Sequence, residues 1–301
     1  MHKRYLADVA LLAVTFVWGT TFVIVQDAIQ VLPVFAFLAL RFCIGGLILL
    51  TPVVSVPALR AQLRQRSLWL SGGFLGLWLF AGYALQTIGL LYTTPAKSGF
   101  ITGLSVVLVP LFALLILKKR TSRAAWLGVA IATGGLFLLS QSKTGGINLG
   151  DVLTLLCAIT FAVQIVYVGE YAPKYAALPL AAVQILTVGV LSILVTAFTR
   201  TPVGALQREL LTPTVLFALA ITSLLATSVA YFAQMAFQKF TTPTRTALIF
   251  ATEPVFAALA SYLWTSDRLT MSAWVGCALI LSGMLVAELG GAAHSDESVP
   301  S

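Results

Sequence analysis

Two ionisable side chains stand deep inside apolar sequence: Arg41, within a run from 33 to 55, and Glu253, within a run from 243 to 264. A charge at the centre of a bilayer costs about 2.5–3.5 kcal/mol on insertion scales, so each is expected to face protein or water rather than lipid. Glu253 could bind a proton or a substrate ammonium, and Arg41 a carboxylate. The structural alternative is a hydrogen-bonded anchor between helices, to which Pro254 would contribute by freeing a backbone carbonyl.

Polar and aromatic residues recur at helical spacing in the same and neighbouring runs. Thr15, Trp18, Gly19, Phe22 and Gln26 form one stripe, and Thr160, Gln164, Tyr167 and Tyr171 a second. Ser98, Thr102 and Ser105 form a third, and Thr246, Phe250 and Glu253 a fourth. Tyr83 with Gln86, and Tyr231 with Gln234, each place a phenol and an amide one helical turn apart. A solute cavity would take aromatic walls from Trp18, Tyr83, Tyr167 and Tyr231. Gln86, Gln164, Gln234 and Thr102 would hydrogen-bond the solute's polar groups. The plainer reading of any single Ser or Thr is interhelical glue, at about 0.6 kcal/mol per contact.

Other chemistries find no residues to carry them. There is no phosphate-cradling G-x-x-x-x-G-K-[ST] loop, no H-E-x-x-H and no G-x-S-x-G, so neither ATP hydrolysis nor a hydrolase is expected. The histidines, His2 and His294, sit in the tails, and Cys43, Cys157 and Cys277 lie in separate apolar runs, so neither a metal site nor a disulfide framework is called for. No cofactor is expected. Basic residues fall in short clusters between apolar runs, without a polar domain to present them to nucleic acid.

The elements that must position these residues follow from composition. With 59% hydrophobic and only 9% charged residues, the chain cannot cover a globular surface, and its solvent must be largely lipid. Ten runs approach the length of about 20 residues that a span needs: 6–26, 33–55, 68–91, 96–117, 124–140, 150–169, 179–199, 213–237, 243–264 and 271–289. The N-terminal run is read as a span, being too long for a signal-peptide core and lacking a small-x-small cleavage site. Lys and Arg bias places both termini in the cytoplasm; the bias comes from the first half, through Arg60, Arg64, Arg66, Lys118, Lys119, Arg120 and Arg123.

The strongest signal is internal. Tyr83-Ala84-Leu85-Gln86 recurs as Tyr231-Phe232-Ala233-Gln234, Thr93-Thr94-Pro95 as Thr241-Thr242-Pro243, Trp126-x-Gly128 as Trp274-x-Gly276, and Gly135 as Gly283, all at an offset of 148. Earlier matches drift: Asp8-Val9 to Asp151-Val152, Thr15-Phe16 to Thr160-Phe161, and Leu32-Pro33 to Leu178-Pro179. Five spans per half make the second half enter the membrane from the opposite side. The expected fold is therefore an all-α membrane protein of ten transmembrane helices in two inverted five-helix repeats, 6–140 and 150–289, with a disordered tail at 290–301. Inverted repeats are typical of secondary transporters, whose substrate site lies near the midplane between repeats. The glycines read as packing positions, and the fifth and tenth spans as packing elements off the path.

With these features the chain resembles the EamA family of drug/metabolite transporters. The resemblance covers roughly residues 6 to 289 and rests on Trp18-Gly19, Arg41-Phe42 and Glu253-Pro254-Val255-Phe256 in their order across ten runs. Phe100-Ile101-Thr102-Gly103-Leu104, followed by Val109-Pro110, is similar to the branch that includes bacterial amino-acid exporters. Lys118-Lys119-Arg120 departs from the commoner pattern, which has an acidic residue there. The resemblance implies a non-enzymatic exporter of small metabolites working by alternating access at the inner membrane, an aromatic or neutral amino acid leading as substrate. Its expected partners are a small-molecule solute and the lipid bilayer, with a monomer as the working unit. A same-fold carrier of nucleosides, sugars or drugs, and an intramembrane enzyme or lipid-handling protein, stay open as alternatives.

Overall fold

The computed structural model describes residues 2–118, 121–139, 148–199, 209–264 and 270–296. Lys119, Arg120, Lys143, Arg200, Arg208 and Arg268, and the end of the expected tail at 297–301, lie outside the described residues. Among the described residues all regular structure is helical.

The first half contains α1 (His2–Val31), α2 (Val34–Ser55), the short α3 (Pro57–Gln62), α4 (Arg66–Gly89), α5 (Pro95–Gly103), α6 (Ser105–Leu117) and α7 (Arg123–Leu139). The second contains α8 (Leu149–Tyr171), α9 (Ala177–Phe198), α10 (Pro213–Ser223), a π-helical turn (Leu224–Val229), α11 (Ala230–Phe237), α12 (Pro243–Phe250), α13 (Glu253–Trp264) and α14 (Met271–Asp296). Helix α14 continues to Asp296, into the stretch read from sequence as a disordered tail. That stretch has no proline before Pro300, and its Ala292 and Ala293 favour helix.

Among the described residues seven segments are long and apolar enough to cross a bilayer: Lys3–Val31, Val34–Ser55, Arg66–Gly89, Lys97–Leu117, Leu149–Tyr171, Ala177–Phe198 and Pro213–Phe240. Arg123–Leu138 and Met271–Ala287 are shorter apolar helices. The run from 243 to 264 is broken at Ala251–Thr252 into α12 and α13. Pro254 explains the break: it has no N–H to give back to Phe250 and sits instead in the first turn of a new helix. The counterpart position in the first half, Leu104, separates α5 from α6.

Helix starts follow the sequence signals. Thr94 accepts a hydrogen bond from the Lys97 amide at 3.2 Å, and Thr242 from the Arg245 amide at 3.2 Å, each ahead of a proline at the first helical position. Asn148 and Asp151 form a reciprocal capping box at the start of α8.

Packing relates the halves. The most extensive pairings are α7 on α14 and α2 on α9, each joining an element to its counterpart. The α4–α8 contact has its match in α1 against α10 and α11, and α8 against α5 and α6 has its match in α1 against α13. Helices α7 and α14 run antiparallel: a Cβ on Gly128 would lie 2.5 Å from the Gly283 carbonyl oxygen, and one on Gly135 would lie 2.6 Å from that of Gly276. Only glycine permits this approach of two backbones.

The bundle has two distinguishable ends. At the near end, where the chain starts, Asp8 meets Arg245. At the far end, Gln26 donates to the carbonyls of Leu90 and Thr93 at 3.2 and 3.3 Å, and Lys97 meets Asp151.

Candidate functional site

A cleft lies between α1, α2, α4, the α5–α6 break, α8, α11 and the α12–α13 break. Trp18, Arg41, Tyr83, Gln86, Thr102, Gln164, Tyr231 and Glu253 line it. Phe22, Thr87, Leu90, Ser105, Phe161 and Phe250 complete much of the wall. No residue of α7 or α14 lines it, in keeping with their reading as packing elements.

Aromatic rings dominate one side. Trp18 packs with ring centroids 5.4 Å from Tyr231 and 5.0 Å from Phe250. Tyr83 lies 5.4 Å from Phe161 and 4.8 Å from Phe42. The Tyr231 hydroxyl donates to that of Tyr83 at 2.9 Å, so the tyrosines of the two repeats meet. Their hydroxyls need such a partner when buried.

Arg41 is 3% exposed, yet no carboxylate lies within ion-pair distance of it among the described residues. Its anchors are neutral: Nε donates to Thr227 Oγ1 at 2.9 Å and Nη2 to the Tyr83 hydroxyl at 3.4 Å. Its guanidinium carbon stands 4.9 Å from the Tyr83 ring centroid and 5.1 Å from that of Phe42, a cation–π arrangement. Glu253 opens α13 and faces the cleft; it too has no hydrogen bond or ion pair from the described residues. One cation and one carboxyl thus share a cavity without neutralising each other in direct contact.

The π-helical turn organises this centre. Its Ala226 carbonyl accepts from Trp18 Nε1 at 2.9 Å, its Thr227 holds Arg41, and its Ser228 hydroxyl donates to the Gly45 carbonyl at 3.0 Å. The same hydroxyl also reaches Ser223 O, five residues back, at 2.8 Å. Such turns place backbone groups where an α-helix would have consumed them. Gly19 lets α1 approach the α13 start, since a Cβ there would meet the Glu253 carbonyl oxygen at 2.6 Å.

Two of the residues expected in the cavity are placed elsewhere. Tyr167 stacks on Tyr171, with centroids 5.8 Å apart, and packs edge-on against Phe74 at 4.8 Å. Gln234 is buried in an amide ladder: its Nε2 donates to Gln164 Oε1 at 3.4 Å and Gln238 Oε1 at 3.0 Å, and Gln238 Nε2 donates to the Ile165 carbonyl at 2.7 Å. The repeat counterparts of these two residues, Phe22 and Gln86, do line the cleft. The cleft leans toward the far end, where Gln86 donates to Thr102 at 3.1 Å. Helical periodicity identifies an inward face without telling which end of the bundle is open. Thr15 was a stripe member but bonds only its own helix, to the carbonyls of Leu11 and Leu12.

Comparison with known proteins agrees with this architecture. The sequence pattern of the EamA-like transporter family matches residues 5–141 and again 148–288. The chain belongs to this family. An uncharacterized transporter of Archaeoglobus fulgidus is 35% identical over 289 residues, covering 95% of this chain and 87% of that protein. The uncharacterized transporter YvbV of Bacillus subtilis is 27% identical, covering 89% of this chain and 86% of its own. The uncharacterized inner membrane transporter YedA of Escherichia coli is 28% identical over 167 residues, covering 52% of this chain and 51% of its own. A solved crystal structure superposes with a TM-score of 0.77 at 22% identity, covering 95% of this chain and 97% of the other, a likeness of fold alone. This member of the family is thus a multi-pass membrane transporter with one repeat unit per half.

Proposed function

We propose that the protein is a secondary transporter of small zwitterionic metabolites, neutral or aromatic amino acids foremost, which it exports across the inner membrane by alternating access. The observation that carries this reading is a pair of ionisable side chains, Arg41 and Glu253, without an ion-pair partner among the described residues, in one cavity with aromatic walls. A buried charge left unpaired is costly, and a solute with a carboxylate and an ammonium would supply both missing partners. Trp18, Tyr231 and Phe250 offer its side chain an apolar surface.

The ten-span inverted arrangement is part of the same proposal. Helices α7 and α14 are counterparts by sequence and pack antiparallel through counterpart glycines, as a two-fold axis lying in the membrane plane would require. The helix breaks at Leu104 and at Ala251–Thr252 fall at matching positions and put Ser105 and Glu253 at the cavity; discontinuous helices at the repeat interface suit a midplane site. Both termini are assigned to the cytoplasm by the basic residues of the first half, and export is what the family resemblance implies.

Uptake into proteoliposomes tests the reading, with a panel of neutral amino acids, nucleosides and sugars, with and without a pH gradient. Saturable flux of amino acids is the expected result. Flux of nucleosides alone would favour the second reading, a same-fold carrier using the aromatic walls for ring stacking. No flux of any solute would turn the assignment toward an intramembrane enzyme or lipid-handling protein.

A further inference from the structure

Among the described residues two ion pairs join different elements, and they are counterparts. Asp8 matches Asp151 in the Asp-Val repeat, and Arg245 matches Lys97 at the 148 offset. At the near end Arg245 grips Asp8 with two hydrogen bonds, Nε to Oδ1 at 2.9 Å and Nη2 to Oδ2 at 2.5 Å. At the far end Lys97 takes one oxygen of Asp151 at 2.6 Å, and the Thr93 hydroxyl takes the other at 3.0 Å. Each pair ties the first turn of a broken helix to the helix that crosses it, α12 to α1 and α5 to α8. The side chains are 13% exposed on both partners at the near end, and 18% and 6% at the far end. They are therefore sheltered from the screening that makes surface pairs weak.

The cleft is asymmetric about these ties. It is lined by Phe22, Gln86 and Leu90 toward the far end, whereas their counterparts Tyr167, Gln234 and Gln238 are packed away toward the near end. In the amide ladder, Gln164 Nε2 and Gln234 Oε1 are buried with no hydrogen-bond partner. Buried amide groups are ordinarily satisfied; Gln164 belongs to the cleft wall, and Gln234 is packed against it toward the near end. The apolar cluster of Leu11, Val14, Ala162, Ala230, Ala247 and Phe250 seals the same end.

We infer that Asp8–Arg245 and Lys97–Asp151 are counterpart latches, one for each mouth of the cavity. Release of the near-end latch re-forms the cavity around Tyr167, Gln234 and Gln238 in place of Phe22, Gln86 and Leu90. This rests on the transporter reading above and adds which residues hold each mouth and which enter the alternate cavity. The bidentate arginine makes the near-end latch the more constrained of the two, consistent with a cleft that leans to the far end.

The test is labelling by a membrane-impermeant maleimide in proteoliposomes. A single cysteine is introduced by Gln86→Cys or Gln234→Cys after Cys43, Cys157 and Cys277 are replaced by alanine. In the parent, position 86 is expected to react from the far face and position 234 to be protected. Asp8→Asn should raise the near-face rate at 234 by about fivefold or more, the lower end of usual coupling strengths, and lower the rate at 86. Asp151→Asn should leave 234 protected and 86 at least as reactive. The charge exchange Asp8→Arg/Arg245→Asp should restore protection at 234. If Asp8→Asn does not insert, Arg245→Lys keeps the charge without the fork and should give an intermediate rise. An unchanged rate at 234 in both variants, or a parallel rise at 86 and 234, overturns the latch. Amino-acid uptake by vesicles of the parent protein, with Gln86 and Gln234 intact, scores the transporter reading separately. Labelling that follows the latch without flux sinks that reading alone, and flux without a latch effect sinks the latch alone.

Discussion

Replacing Arg41 by glutamine separates a ligand-binding arginine from a structural one. Among the described residues Arg41 donates hydrogen bonds only to neutral partners, Thr227 and Tyr83, at 2.9 and 3.4 Å. Glutamine can still hydrogen-bond one of them, so the fold loses about one bond of roughly 0.5–1.5 kcal/mol and is relieved of an unpaired buried cation. The net change in stability should be small, a Tm within a few degrees of the parent. The solute carboxylate, by contrast, loses a charge-assisted bond of about 1.5–3 kcal/mol, which is a roughly 10- to 150-fold weaker Kd. The assay is binding to detergent-solubilised protein of a neutral amino acid, the corresponding amino-acid amide and the decarboxylated amine. Arg41→Gln should weaken the acid by that factor and leave the amide and amine within about twofold, a small fraction of that loss. Equal weakening of all three ligands, or a Tm collapse with no ligand selectivity, would show that Arg41 is an anchor and refute the argument.

Other substitutions read other parts of the account. Glu253→Gln should weaken ligands bearing an ammonium more than their uncharged analogues, measured by the same binding series; equal effects would remove Glu253 from the site. Gly135→Ala drives a Cβ to 2.6 Å from the Gly276 carbonyl and 2.8 Å from the Ile280 amide, so it should cost about 1–3 kcal/mol. Gly134→Ala, with open space around it, should be neutral or gain up to about 1 kcal/mol; thermal unfolding in detergent compares the two. Trp18→Phe keeps the ring contacts with Tyr231 and Phe250 but removes the bond to the Ala226 carbonyl, a loss of about 1 kcal/mol visible as a lowered Tm.

Much of the architecture is legible in the sequence because it is written twice. The 148 offset marks the halves, and Thr94-Pro95 and Thr242-Pro243 mark where α5 and α12 begin. The break after Gly103 is not legible, since Val106 stands where Pro254 signals the counterpart break. Of the site, helical spacing brings out Trp18, Tyr83, Gln86, Gln164, Tyr231 and Glu253. Tyr167 and Gln234 share the inward face but do not line this cleft; they are held in ring and amide contacts toward the near end. Thr227 escapes because its role depends on a π-helical turn whose residues, Leu224–Val229, look like ordinary apolar helix. The ion pairs had a signal that helical periodicity does not weigh: Asp8 and Asp151 recur as counterparts, and so do Lys97 and Arg245.

The central claim is a carrier whose two mouths open in turn around one zwitterion site. Counterflow tests it most directly: proteoliposomes preloaded with an unlabelled neutral amino acid are diluted into a trace of the labelled one. The account predicts transient accumulation of label above equilibrium, abolished by Arg41→Gln. Flux that only equilibrates, without overshoot at any preload, would contradict alternating access at a shared site.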